Sequence, residues 1–76
     1  MNKQRRKDIE RAIALLDEAK DIIETAAGEE RDYYDAMPEN MQGGEKGERA
    51  EQAADSLDEC VCDIEQAIFN SQQGME

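Results

Sequence analysis

The spacing of apolar and small residues constrains this chain more tightly than any other feature of it. From Lys3 to about Asp35 such residues recur at Ile9, Ala12, Leu16, Ala19, Ile23, Ala26, Tyr33 and Met37, in steps that alternate between three and four and are interrupted only at Glu30. Alternating steps of this kind keep a stripe on one side of an α-helix, the pattern by which helices pack on helices. Ile13, Leu15, Ile22, Ala27 and Tyr34 lie beside the stripe and make it wider than a two-stranded coiled coil uses, which suits a bundle. A second stretch, from about Glu45 to Asn70, repeats the pattern at Ala50, Ala53, Leu57, Cys60, Ile64 and Ala67, with Ala54, Val61 and Ile68 flanking it. Ala50, Ala53 and Ala54 let another helix approach closely, whereas Leu57, Ile64, Ile68 and Phe69 supply bulk further on.

Between the stretches lies the segment with strong helix-breaking chemistry, a connection over about 36–44. Pro38 disfavours a helical Met37 yet can open a new turn itself, and Gly43, Gly44 and Gly47 loosen the backbone leading into the second stretch. Met41 is expected to tuck against the end of the bundle, Gly28 is a weak point in the first helix, and the polar run Ser71 to Glu76 is expected to fray. The expected fold is all-α: one domain over 1–76, an antiparallel two-helix hairpin with helices at about 3–35 and 45–70. With 76 residues, no Trp, one Phe and two Tyr, a single copy builds a thin core. A homodimer closing into a four-helix bundle is the natural completion.

Acidic residues outnumber basic ones 20 to 9, for a net charge of −11, which opposes general affinity for nucleic-acid phosphates or anionic membranes and favours a basic partner. Five of the nine basic residues (Lys3, Arg5, Arg6, Lys7 and Arg11) lie before position 12. In an antiparallel hairpin this end is expected to neutralise Asp55, Asp58, Glu59, Asp63 and Glu65. The two cysteines are too few for a disulfide scaffold, and no apolar run reaches the length of a signal-peptide core or a membrane span. A reducing bacterial cytoplasm is the expected compartment.

Little here can carry catalysis or hold a metal. Cys60 and Cys62 stand two apart, about 200° round a helix, so their thiols cannot readily share a metal or a disulfide. With no His present, Cys60 reads as a small buried residue and Cys62 as a free surface thiol. The carboxylates read as solvated helix faces, and Asp32, Asp35 and Glu39 lack the spacing and central Gly of an EF-hand loop. Ser56, Ser71 and Thr25 have no partners for nucleophilic chemistry. No cofactor is expected. Tyr33 and Tyr34 are neighbours, so one ring continues the stripe and the other points elsewhere, as a rim residue or as a partner-binding anchor. The cluster Arg5, Arg6 and Lys7 is the candidate anion-binding group.

The run Met37-Pro38-Glu39-Asn40-Met41-Gln42, followed by Gly43-Gly44-Glu45-Lys46-Gly47-Glu48-Arg49 and set between two Ala/Ile/Leu/Glu helices, resembles a group of short acidic helical-hairpin proteins from bacteriophages, prophages and mobile elements of gut Firmicutes. Members of that group often carry Ser at the position of Gly44, where it would cap the second helix. The resemblance covers nearly the whole chain and implies a phage-encoded accessory protein with no catalytic residues to transfer.

The leading expectation is therefore a non-enzymatic interaction protein that binds a host protein with a basic surface through Tyr33, Tyr34, Met37, Met41, Glu48, Glu51 and Asp55. Its sharper version is inhibition of a host defence enzyme by DNA mimicry, with Glu24, Glu29, Glu30, Glu48, Glu51, Asp55 and Asp58 forming one carboxylate band. Two alternatives stand beside it. One is an oligomeric sponge for a small anionic signalling nucleotide, using Arg5, Arg6, Lys7 and the tyrosines of several copies. The other is a purely structural oligomerisation module.

Overall fold

Asn2 opens the first helix: its side-chain oxygen accepts from the Arg5 backbone N–H at 2.8 Å and so satisfies one of the donors a helix start leaves unpaired. In the computed structural model, which describes residues 1–75, helix α1 then runs without interruption over Lys3–Asp35. Gly28 does not break it, because the flanking turns supply good helix formers and the chain has no competing contact there. The helix ends where Pro38 forbids its continuation, since the residue before a proline is pushed out of the helical region. Pro38 itself starts a single turn, α2 (Glu39–Gln42), its carbonyl accepting from Met41 N at 2.8 Å and Gln42 N at 3.1 Å.

Gly44, extended and without a side-chain cap, precedes helix α3 (Glu45–Gly74), whose first turn holds Glu45 and Glu48 where a helix N-terminus favours negative charge. The helix outruns the expected end at Asn70 and takes in most of the polar tail, with Ser71 Oγ donating to the Ala67 carbonyl at 2.8 Å. Glu76 lies outside the described residues. The final carbonyls are stabilised from across the molecule, because Arg6 donates to the Met75 carbonyl at 2.9 Å. This contact offers a reason for the cationic start of α1: it lies beside the negative end of the neighbouring helix dipole.

Helices α1 and α3 lie side by side and run in opposite directions, as the pairs Arg6–Met75 and Arg31–Asp58 require. The described residues contain no strand. The Cα atoms span 58 × 15 × 12 Å, a rod one helix pair wide.

The buried line keeps Ile9, Leu16, Ile23 and Met37 of the expected stripe on α1 and Ala50, Leu57 and Ile64 of that on α3, and moves by one residue at the positions between them. On α1 it follows Ile9, Ile13, Leu16, Ile23, Ala27, Tyr34 and Met37, while Ala12 and Tyr33 are exposed. On α3 it follows Gly47, Ala50, Ala54, Leu57, Val61, Ile64 and Ile68, with Cys60 only half-buried. Two parallel rows share the same three-four spacing, and the helices turn inward the row that combines the closest approach with the branched side chains. The most enclosed residues are small: Ala54 is 1% and Ala27 is 3% exposed. Met37 is buried as expected, but Met41 points outward at 43% exposure.

Gly47 departs furthest from expectation. It does not loosen the connection; it is buried in the first turn of α3, and a Cβ there would collide with the Gln42 backbone, its carbonyl oxygen first. The absence of a side chain lets α2 fold directly onto the start of α3.

Candidate functional site

With 100° per residue, positions flanking each buried row separate onto two long faces of the rod. One face bears carboxylates. Glu48, Glu51, Asp55 and Asp58 follow each other in steps of three, four and three along α3, all exposed, and Glu24 and Arg31 lie on the facing side of α1. Arg31 reaches across to Asp58 at 2.6 Å and to Asp55 at 3.5 Å, the only ion pairs joining the two helices among the described residues. These two carboxylates hold the Arg31 guanidinium above its usual range, the hydrogen bond to Asp58 contributing most.

At the connection end of this face Arg31, Tyr34, Asp35, Glu51, Ala54 and Asp55 line a cleft of 240 Å³. Tyr34 is half-buried in it, and its backbone carbonyl accepts from the Gln42 side chain at 3.2 Å. Its hydroxyl is held above the usual phenol range, first by partial burial and then by the carboxylates of Glu51 and Asp35. An aromatic ring among three acidic side chains suits a guanidinium or ammonium group, which can lie on the ring while donating to the oxygens.

The opposite face is built from small residues: Ala19 and Ala26 of α1 and Ala53, Cys60 and Ala67 of α3, all half-covered, with exposed Ala12 in line. At its connection end Glu30, Tyr33, Lys46, Arg49, Ala50 and Ala53 surround a shallow hollow of 310 Å³.

The two faces divide the residues singled out in the sequence. Tyr34, Glu51 and Asp55 come together in the cleft, and Glu48 continues their ridge. Met37 is buried beneath the connection and Met41 lies exposed in α2. Tyr33 lies across the rod, so the two rings do not act as one anchor. The single carboxylate band expected from Glu24 to Asp58 is divided as well. Glu30 lies on the alanine face beside Lys46 and Arg49, and Glu29 turns the same way, because a helix separates it by about 200° from Arg31.

The cationic end also departs from expectation. α3 runs to Gly74, so Arg6 meets Met75, while Asp55 and Asp58 pair with Arg31 near the connection end of α1 and, among the described residues, none of Asp55, Asp58, Glu59, Asp63 and Glu65 pairs with the basic start. Arg5, Arg6 and Lys7 share the first turns of α1 but, among the described residues, converge on no common acceptor. They stand about 40 Å along the helix from the tyrosines, so no single chain brings the two groups to one anion.

Residues that spacing alone did not single out are Arg31 and Asp35. Arg31 breaks the acidic ridge and links the helices; its signal was a lone cation in an acidic stretch. Cys60 and Cys62 are free thiols on different sides, Cys60 half-buried and Cys62 exposed. Among the described residues no cluster of metal-ligating side chains forms, and no helix is long and apolar enough to cross a membrane. Comparison with family models, with curated proteins and with solved structures found no match.

Proposed function

We propose that this chain is a non-enzymatic docking protein, a helical hairpin that pairs into a four-helix homodimer and holds a basic protein partner on its carboxylate face. A host protein bound by a phage or prophage accessory protein is the biological setting that fits the resemblance drawn from the connection. The observation that carries the reading is the ridge Glu48, Glu51, Asp55 and Asp58 running into the Tyr34 cleft. Four acidic residues in line along about 15 Å of helix, offset by the single cation Arg31 at Asp55 and Asp58, present a predominantly negative edge to a partner, and Tyr34, Asp35 and Glu51 of the cleft supply a place for one basic side chain. DNA mimicry is the narrower form, with the ridge standing in for consecutive phosphates along one strand.

The test is affinity capture from bacterial extract on the wild-type protein and on a variant with Glu48→Gln, Glu51→Gln and Asp55→Asn. A protein retained by the wild type at low salt, released as salt rises, and absent from the variant supports the ridge as the docking surface. Retention of the same proteins by both, or retention indifferent to salt, contradicts it.

A further inference from the structure

Glu30 interrupts the three-four spacing of α1, and the packing of the helices does not account for it. It stands in the inward register between Ala27 and Tyr34 and is half-buried, where an apolar side chain would serve the pairing better. Lys20 also carries charge in that register, and it pairs with Asp17 at 3.9 Å. Glu30 pairs with no cation among the described residues, although Lys46 and Arg49 border the same hollow. A carboxylate drawn partly out of water gives up hydration that matching N–H donors restore. The hollow it opens into is otherwise lined by Tyr33, Ala50 and Ala53. An apolar concavity with a few convergent polar groups is the form that small-molecule sites take.

We propose that this hollow is a guanine-nucleotide site, separate from the carboxylate face and independent of any docking there. The base lies on Tyr33 and the two alanines, Glu30 accepts from the neighbouring N1–H and N2–H groups of the base, and the phosphate takes Lys46 and Arg49.

The residues stand in the order that such a ligand needs. Arg31 is level with Asp55 and Asp58, so Glu30 lies at the inner end of the hollow. Arg49 and Lys46, six and nine residues before Asp55, lie towards the connection, and Tyr33 lies between. The backbones of Glu30 and of the two cations are roughly 10 to 15 Å apart along the rod. The long Lys and Arg side chains reach back across part of that distance, leaving the span from the donor edge of a base to its 5′-phosphate. The volume of 310 Å³ is at the small end of ligand pockets, with room for a base and with the phosphate at the rim.

Each lining residue has a separate use in this arrangement. Tyr33 is 53% exposed and offers a ring face, and stacking on it supplies affinity for any base. Glu30 supplies the choice of base. Guanine presents two adjacent N–H donors to a carboxylate, whereas adenine presents a donor beside an acceptor that a carboxylate repels. Lys46 has no ion partner among the described residues, and Arg49 is held only by Glu45, with both side chains 77% exposed. Such a surface pair is given up at little cost, so both cations are available to a phosphate. The net charge of −11 acts against an anion, but the acidic ridge lies across a rod 15 × 12 Å in section, beyond the Debye length of about 8 Å at physiological salt. Glu29, on the near side, is exposed and keeps its hydration.

Calorimetric titration of the full chain with guanosine monophosphate, adenosine monophosphate, guanosine and inorganic phosphate tests the proposal. Guanosine monophosphate is expected to bind once per chain, with the adenine nucleotide and the phosphate-free guanosine each about tenfold weaker and inorganic phosphate weaker still. Tyr33→Ala should weaken the guanine nucleotide about tenfold or more, and Glu30→Gln should bring the two nucleotides within about twofold of each other. Both positions lie on the surface of the hollow, and should either variant lose its helical circular dichroism, the wild-type ligand series decides by itself. No binding of guanosine monophosphate up to about 10 mM overturns the site. Equal affinity for the two nucleotides, an affinity that inorganic phosphate matches, or a folded Tyr33→Ala variant that binds like the wild type overturns it as well. None of these outcomes bears on capture of a basic partner by the opposite face.

Discussion

Gly47 is the residue on which the connection depends. Replacement by Ala gains about 1 kcal/mol of helix propensity but drives a methyl group into the Gln42 backbone, so a net loss of about 1 to 3 kcal/mol in urea unfolding is expected. Gly28 is its counterpart, helical with open space where a Cβ would stand, and Gly28→Ala should stabilise by about 1 kcal/mol. Gly47 is legible in the sequence as a loosener of the connection, and that reading fails, whereas the helix expected to run through Gly28 does so. What a glycine does here is decided by a contact that the local sequence does not announce, the approach of α2 to α3. Tyr34 gives a pH signature. Its proton is bound more tightly in the folded chain than in the unfolded one. Stability should hold below the free phenol value of about 10 and fall as pH rises from there through the folded-state value. Tyr34→Phe should remove that part of the fall in thermal melts taken across the alkaline range, while Tyr33→Phe should leave it.

At the scale of elements, the existence, order and direction of the two long helices are legible, because three-four spacing and one breaker segment determine them almost alone. Which of two adjacent rows faces inward is not. Ala26 and Ala27, or Tyr33 and Tyr34, differ by one step of rotation, and the choice is made by packing against the opposite helix, with Ala54 and Val61 meeting the inner row. The same one-step rotation moves Tyr33 out of the expected site and leaves Tyr34 in it. The end of α3 is hidden for a similar reason, since the polar tail reads as frayed until Arg6 from the other terminus is seen to hold the Met75 carbonyl. Arg31 joins the helices through exposed ion pairs, and such pairs contribute little, so Arg31→Gln should change unfolding stability by less than about 1 kcal/mol. The same variant removes the one cation from the acidic ridge. It should bind the basic partner faster and more tightly than the wild type at low salt, a difference that calorimetry in a salt series would show shrinking as salt rises.

At the scale of the whole molecule, the chain is a rod whose interior is made of alanines, one valine and one methionine. Its radius of gyration of 17.2 Å stands against roughly 11 Å for a compact domain of this length. Such a rod has two long faces of different chemistry, with carboxylates along one and small apolar residues along the other. That the chain is acidic and under-cored is plain from composition; that the acid and the apolar surplus occupy opposite sides becomes visible only once the helices are paired. Small-angle X-ray scattering in solution tests this account most directly, because it reads mass and length together. Two side-by-side copies predict forward scattering of two chains with a longest dimension close to that of the single 58 Å rod. Forward scattering of one chain, or of two chains joined end to end at nearly twice that length, would contradict it.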